Sequence, residues 1–292
     1  MNTNNMRIPS NRVRDIEHYF HNELSELYPE GEIKMFVRML FEAFLGWDMA
    51  QLLLHREDTI NQSDLLKFHW AVEDLKKHRP IQHIIGHTEF CGLRIEVSPE
   101  VLIPRPETEE IILQFLNNRN TQTAPAILDL CTGSGCIAIA LSKYFPEANV
   151  FGVDISEKAL QIAQKNAKNN NVEVNFVRCD ILRDEPPLPC TTFDYIFSNP
   201  PYVLDSERKE MQENVLGYEP SLALFVPDND PLLFYRVIGL YASKHLAEGG
   251  QLILEINERH GRETCQLLQS LGFATRLNKD FRDKDRSIIA TL

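Results

Sequence analysis

The sequence predicts an α/β fold, a mainly parallel sheet with helices on both faces, preceded by a small all-helical N-terminal domain. Three observations predict it. The first 80 residues place apolar side chains at spacings of three and four, the helical period. From Ala126 onward, short β-branched runs alternate with helical stretches, the pattern of parallel strands joined by crossover helices. The first of those runs also ends in a glycine turn that opens a helix. At 292 residues the chain exceeds the usual single-domain size of roughly 100 to 150 residues, so two domains are expected.

Residues 11–28 put Val13, Ile16, Phe20, Leu24 and Leu27 on one helical stripe. Ile33, Phe36, Val37, Leu40, Phe41 and Phe44 form a second stripe that stops at Gly46. Shorter helices are predicted from Asp48 to His55 and from Ser63 to His78, the latter stopped by Pro80. Residues 1–80 thus form a helical bundle, and 81–109 a hairpin around Thr88–Val97 followed by a linker through Ile103 to Glu109. Residues 110–292 form the second domain. Its predicted strands are 126–131, 149–154, 173–180, 193–198 and 251–256, with two more near 274–282 and 286–292. Its predicted helices are 135–145, 157–169, 231–246 and 262–271. Ser156 reads as one N-cap, Asp230 followed by Pro231 as another, and Gly272 as a residue just past a helix end. No internal repeat or low-complexity segment is present.

Composition narrows the classes of function. With 43% hydrophobic and 25% charged residues, the chain has ample material for a core. No window approaches the roughly 18 uncharged apolar residues that cross a bilayer, and Met1–Arg14 lacks the apolar segment of a signal peptide, so a cytoplasmic protein without membrane association is expected. Six scattered cysteines without CxxC spacing read as reduced core thiols, giving neither metal site nor disulfide. The formal net charge of −12, with no Lys/Arg-rich run, disfavours stable nucleic-acid binding.

The run Ile127–Ala138 joins a hydrophobic strand, a turn containing Gly133 and Gly135, and an apolar helix start. Such a turn aims backbone N–H groups at a polar ligand at close range. Asp154 closes the next predicted strand, where a carboxylate accepts both hydroxyls of a ribose, and Asp180 at the end of the third adds a group that can read an adenine amine. An adenosine-containing cofactor follows. Gly133-x-Gly135-x-x-Ala138 also fits the loose dinucleotide fingerprint, so these residues alone do not choose between cofactors.

The choice comes from Asn199-Pro200-Pro201-Tyr202, which follows the buried-type strand 193–198 directly. Ligands of open parallel sheets sit at the carboxyl ends of strands, so this tetrapeptide should share a crevice with the glycine turn. An amide NH2 is a poor nucleophile and must be placed in line with an electrophilic methyl. The Asn199 side-chain oxygen and the Pro200 carbonyl can each accept one N–H of such a group. Two prolines hold those acceptors rigidly, and Tyr202 can pack on the planar substrate. Methyl transfer from S-adenosylmethionine to a planar nitrogen is the reaction these residues suit.

The whole sequence resembles the release factor glutamine methyltransferases, the PrmC/HemK family, over nearly its full length. The resemblance is carried by Pro80–Gly86 with Glu89-Phe90, Ile103–Glu109, the glycine turn, Asn199–Tyr202, Glu219-Pro220 with Ala223-Leu224, and Asp285-Arg286. It implies a Rossmann-like class I S-adenosylmethionine-dependent methyltransferase sheet and N5-methylation of the glutamine in the Gly-Gly-Gln tripeptide of peptide chain release factors, which tunes translation termination. It further implies that Asp129 is a cofactor-binding residue, that Cys131, Thr132, Gly133, Ser134 and Gly135 hold the methionine end of the cofactor, Asp154 the ribose, and Asp180 with Ile181 the adenine. Asn199 borders the cofactor, and Asn199, Pro200, Pro201 and Tyr202 hold the substrate glutamine. Release factors are then the partner, the helical domain grips them away from the tripeptide, and a monomer is expected. Arg105 and Glu107 either brace the active site or pair between domains. One departure is Cys131, where many members have a glycine; some crowding there is expected, without loss of binding.

Rival readings are a nucleic-acid amino-methyltransferase, a non-catalytic cofactor-binding module and a nicotinamide oxidoreductase. The acidic charge opposes the first, the intact Asn199, Pro200 and Tyr202 oppose the second, and the third has no use for Asn-Pro-Pro-Tyr.

Overall fold

A computed structural model describes residues 10–118 and 124–292. Residues 1–9, assigned from sequence to the helical domain, and 119–123, assigned to the second, lie outside the described residues. The chain divides into two compact units: one runs up to Gly86 and includes Glu213–Tyr218, and the other comprises His87–Gln212 with Glu219–Leu292. Among the described residues no helix is long and apolar enough to cross a membrane.

The first unit is built from α1 (Val13–Leu24), α2 (Glu30–Leu45), α3 (Met49–Leu54), α4 (Gln62–Leu75) and α5 (Ile81–Ile85). Phe20, Leu24, Leu40, Phe41, Phe68 and Val72 are its fully buried centre, and the Phe41 and Phe68 rings lie 4.4 Å apart. Each such side chain contributes roughly 1.5–3 kcal/mol by leaving water. Local chemistry sets the ends: Gly46 takes a left-handed φ of 70° after α2, and Asp48 and Gln51 form a reciprocal capping box at α3. Leu27 departs from the predicted stripe. Helix α1 ends at Leu24, so Leu27 falls outside the repeat and is 43% exposed. Helix α5 lies where the sequence reading put the start of a linker, because five residues are too few to show a period.

The second unit opens with the hairpin β1 (His87–Phe90) and β2 (Leu93–Glu96), then α6 (Pro106–Asn118). This helix was read as linker over its first turn, although Pro106 at the first position with Glu107 and Glu109 close behind is a helix start. There follow β3 (Ala126–Leu130), α7 (Cys136–Tyr144), β4 (Asn149–Asp154), α8 (Glu157–Asn169), β5 (Asn175–Arg178), β6 (Phe193–Ser198) and the short β7 (Val203–Leu204). The chain then passes through α9 (Glu213–Tyr218), which groups with the first unit; there the Tyr218 hydroxyl donates to the Lys77 carbonyl at 2.8 Å. It continues with β8 (Phe225–Val226), α10 (Leu233–His245), β9 (Leu246–Glu255), α11 (Gly261–Ser270), β10 (Ala274–Lys279) and β11 (Asp285–Thr291). Strands β7 and β8 and helix α9 had no counterpart in the sequence reading; each is too short for a pattern to emerge.

Seven strands form one sheet in the order β10-β11-β9-β6-β3-β4-β5, with β11 antiparallel to both neighbours and the other pairings parallel. From Tyr195 on, residues of β6 alternate between faces: Tyr195 and Phe197 pack with Phe115 of α6 and Ile139 of α7, and Ile196 packs with Tyr235 and Ile238 of α10, a side that Phe193 joins across the register shift between Phe193 and Tyr195. Ser156 caps α8 through the Ala159 N–H. Asp230 does not cap α10, which starts at Leu233 with Leu232 as its N-cap. Both Asp230 oxygens are taken instead by the Arg236 guanidinium, at 2.9 and 3.0 Å. Connections from β3 run toward β4 and β5 on one side, whereas β6 lies on the other, so the carboxyl ends of β3 and β6 flank a switch point where ligands bind.

Candidate active site

At the end of β3 the backbone turns through three left-handed residues, Cys131 (φ 63°), Gly133 (φ 53°) and Gly135 (φ 80°). Gly135 caps α7, and a Cβ there would stand 2.9 Å from the Ala163 Cβ and 3.0 Å from the Ile139 Cδ1. Only glycine meets both the dihedral and the space. Two side chains absent from the sequence reading or misjudged by it hold this loop. Asn166 is fully buried on α8; its Nδ2 donates to the Ser134 and Glu96 carbonyls at 3.0 Å, and its Oδ1 accepts the Glu96 N–H at 2.7 Å. Asp129 lies beneath the loop, where Oδ2 accepts from the Thr132 hydroxyl and from the Ala138 N–H. Its Oδ1 is buried without a partner among the described residues. Burial pushes the Asp129 carboxyl up to about 7.

Asp154 ends β4 with each oxygen fixed by the backbone: Oδ2 accepts the Gly133 N–H and Oδ1 the Ser156 N–H, both at 2.8 Å. Burial raises its pKa, and these N–H groups oppose the rise. A carboxylate has about four acceptor positions, so two stay open to a diol. Asp180 caps its own turn through the Leu182 N–H at 3.1 Å and pairs with Arg183.

Across the crevice, Ser198 ends β6 and ties it to β3 by donating to the Leu130 carbonyl at 2.7 Å. Asn199 Nδ2 donates to the Thr108 hydroxyl at 3.2 Å. Tyr202 turns its hydroxyl toward Glu255, 3.0 Å away at the end of β9. Burial raises the Tyr202 hydroxyl well above its ordinary value, and the neighbouring Glu255 charge adds to that.

Between these flanks lies a cavity of about 550 Å³, within the roughly 300–1,000 Å³ typical of small-molecule sites. Cys131, Thr132, Gly133, Ser134, Asp154, Asp180, Ile181, Asn199 and Pro201 line it. Asp129, Gly135, Pro200 and Tyr202 do not stand in its wall. Asp129 and Gly135 shape the loop from behind, Pro200 is buried, and Tyr202 is turned onto Glu255. Among the wall residues that the sequence reading missed are Leu102, Thr108, Ile155 and Phe234. Arg105 also lines it: its Nη2 meets Glu219 Oε1 at 2.6 Å, and Glu219 Oε2 accepts the Ile103 N–H at 3.0 Å. That pair, within the second unit, ties residues 103–105 to the wall segment 220–223, which is a brace. Glu107 lies outside the wall, 4.0 Å from Arg282.

Residues 18–86 match the PrmC N-terminal domain family, and residues 107–217 the methyltransferase small domain family. The chain is 43% identical over 281 residues to a release factor glutamine methyltransferase of Flavobacterium psychrophilum, covering 94% of this chain and 98% of that one. It is 39% identical over 273 residues to a second of the same name from Bacteroides thetaiotaomicron, covering 93% and 97%. The chain belongs to the release factor glutamine methyltransferase family.

The fold agrees: a methyltransferase of Pyrococcus furiosus aligns with a TM-score of 0.50 at 23% identity, over 68% of this chain and 88% of that one. As in this family generally, S-adenosylmethionine is the methyl donor. The cavity fits it, with a left-handed glycine turn for close backbone approach, two strand-end carboxylates for polar groups, and Leu102, Ile181 and Phe234 as apolar wall for a flat base. The departure at Cys131, which lines the cavity, also carries a backbone cost: its φ is 63°, a conformation that L residues resist by roughly 1–2 kcal/mol.

Proposed function

We propose that this chain transfers a methyl group from S-adenosylmethionine to the side-chain amide nitrogen of the glutamine in the Gly-Gly-Gln tripeptide of peptide chain release factors, tuning translation termination. The cofactor supplies an electrophilic sulfonium methyl. The observation that carries the reading is the orientation of Asn199, a residue of the cavity wall: its NH2 end is turned to Thr108, to which one N–H donates, so the oxygen is the end left to accept an N–H of the incoming amide. The Pro200 carbonyl accepts the other. Held by two acceptors, the nitrogen presents a lone pair freed from conjugation; as its bond to the methyl forms, the methyl–sulfur bond would break with its electron pair left on sulfur as a neutral thioether, and the nitrogen would release its extra proton to water. Pro201, in the cavity wall, and Tyr202, its hydroxyl anchored on Glu255, are the further residues assigned to the substrate glutamine.

On the donor side, Cys131, Thr132, Gly133 and Ser134 receive the methionine end, with Asp129 and Gly135 shaping that loop from behind. Asp154 receives the ribose, and Asp180 with Ile181 the adenine. The helical unit, residues 1–80 with a linker to 109, grips the release factor away from the tripeptide. Its exposed Leu53, Leu54 and Trp70 support that role. The enzyme acts as a monomer in the cytoplasm, where its substrate works, and the net charge of −12 favours a protein acceptor over nucleic acid.

The test is labelled S-adenosylmethionine with purified release factor, a variant lacking the tripeptide glutamine, and tRNA or rRNA side by side. Label on the intact release factor alone is expected. Label on RNA, or on the glutamine-free variant, contradicts the reading.

A further inference from the structure

An asparagine amide has two ends of nearly equal shape and opposite hydrogen-bonding sense. The end that Asn199 turns to the acceptor decides which chemical group can be held there, and Asn199 has no means of choosing by itself. The choice is made two residues away. Ser198 of β6 pairs with Leu254 of β9 in parallel register, so Asn199, just past β6, and Glu255, the last residue of β9, stand side by side. Glu255 is buried, 3% exposed, and both its oxygens are engaged: Oε2 accepts from the Thr108 hydroxyl at 2.6 Å, and Oε1 from the Tyr202 hydroxyl at 3.0 Å. A threonine hydroxyl carries one proton. Once that proton is given to a carboxylate, the oxygen can only accept, and the group it accepts from is Asn199 Nδ2 at 3.2 Å.

We propose that Glu255 is a positioning residue for methyl transfer, which uses the single proton of Thr108 to hold the Asn199 oxygen toward the substrate and so selects a glutamine amide over a glutamate carboxylate. The second Glu255 oxygen fixes Tyr202 in the same step. Burial raises the Glu255 pKa, and the hydrogen bonds from Thr108 and Tyr202, followed by the positive charge of Arg286, oppose that rise; Arg286 is itself held by Asp280, 3.0 Å from its Nε. This inference rests on the reading of Asn199 as the residue that holds the acceptor amide. Neither Thr108 nor Glu255 needs to touch the substrate.

Glu255→Gln keeps the shape and replaces one acceptor by a donor, so the chain can run backwards, with Thr108 donating to Asn199 and the Asn199 NH2 turned to the substrate. Thr108→Val removes the proton outright, whereas Thr108→Ser keeps it. The experiment measures single-turnover methyl transfer to purified release factor, S-adenosylmethionine affinity by calorimetry, and competition by a release factor carrying glutamate in place of the tripeptide glutamine. A misplaced acceptor costs on the order of 10²-fold in rate. Losses of that order are expected for Thr108→Val and Glu255→Gln with cofactor affinity within about threefold of wild type. Thr108→Ser should restore most of the rate, and the glutamate form should compete better against Glu255→Gln than against wild type. Equal losses for Thr108→Ser and Thr108→Val, or wild-type transfer by Thr108→Val, overturn the proposal, and this pair decides it even where Glu255→Gln does not fold. Should the wild-type enzyme leave release factor unlabelled, the acceptor reading itself fails, an outcome distinct from a normal wild type with indifferent variants.

Discussion

The two flanks of the cavity are built from different materials. On the flank after β3 the polar groups offered to a ligand are largely backbone, set by left-handed dihedrals at Cys131, Gly133 and Gly135 and pinned by side chains from behind, Asp129 and Asn166. On the flank after β6 they depend on one side-chain amide whose sense is set by a relay through Thr108 to Glu255. A backbone cradle keeps its shape in whatever state the reaction has reached, which suits tight holding of a common cofactor. A side-chain amide distinguishes donor from acceptor, which suits recognition of one nitrogen. Damage to the first flank should therefore weaken binding and folding, and damage to the second should slow transfer.

The largest expected effect is on the second flank: Asn199→Ala should lower the transfer rate by about 10³-fold, in line with the loss of one preorganised hydrogen-bonding group at a reacting centre. Its cofactor affinity should stay within about threefold by calorimetry. Next comes a pH effect on the first flank. Asp129 has a folded pKa of about 7 against roughly 3.9 unfolded. The folded state therefore holds this proton more tightly, and the stability it confers is complete below about pH 4 and lost as pH rises through about 7. The loss is at most about 4 kcal/mol. Denaturant titrations from pH 5 to 8 should show a stability decline that Asp129→Asn flattens; an unchanged slope places the proton elsewhere.

Gly135→Ala should follow, with about 2–3 kcal/mol lost to its φ of 80° and to the contact with Ala163. Urea midpoints and cofactor affinity should fall together. Smallest is Cys131→Gly, which should gain about 1 kcal/mol by relieving a left-handed cysteine while leaving the transfer rate near wild type. A loss of stability there would mean that the thiol contributes packing exceeding the strain.

What could be read from sequence follows the same division. The glycine turn, Asp154 and Asn199–Tyr202 are each set by neighbours within a few residues, so their positions at strand ends were visible beforehand. Thr108, Asn166 and Glu255 act on residues 91, 32 and 53 positions away, at Asn199, Ser134 and Tyr202, and nothing local marks the first two. Glu255 did carry one signal, a carboxylate closing the apolar strand run Leu252-Ile253-Leu254. Tyr202 was placed against the substrate because the motif is local, but its hydroxyl answers to a distant carboxylate. Asp230 shows the converse, where a sound local cap rule lost to a better partner in Arg236.

One paired measurement tests the division of labour most directly. Asp154→Ala removes the acceptor shared by Gly133 and Ser156 on the first flank, and Asn199→Ala removes the amide on the second. Cofactor affinity and single-turnover transfer to release factor at saturating cofactor should be measured on both. Asp154→Ala is expected to raise the dissociation constant by more than about tenfold with a transfer rate nearer to wild type than that of Asn199→Ala. Asn199→Ala is expected to do the reverse. Two variants that lose affinity and rate in the same proportion would contradict separate roles for the two flanks.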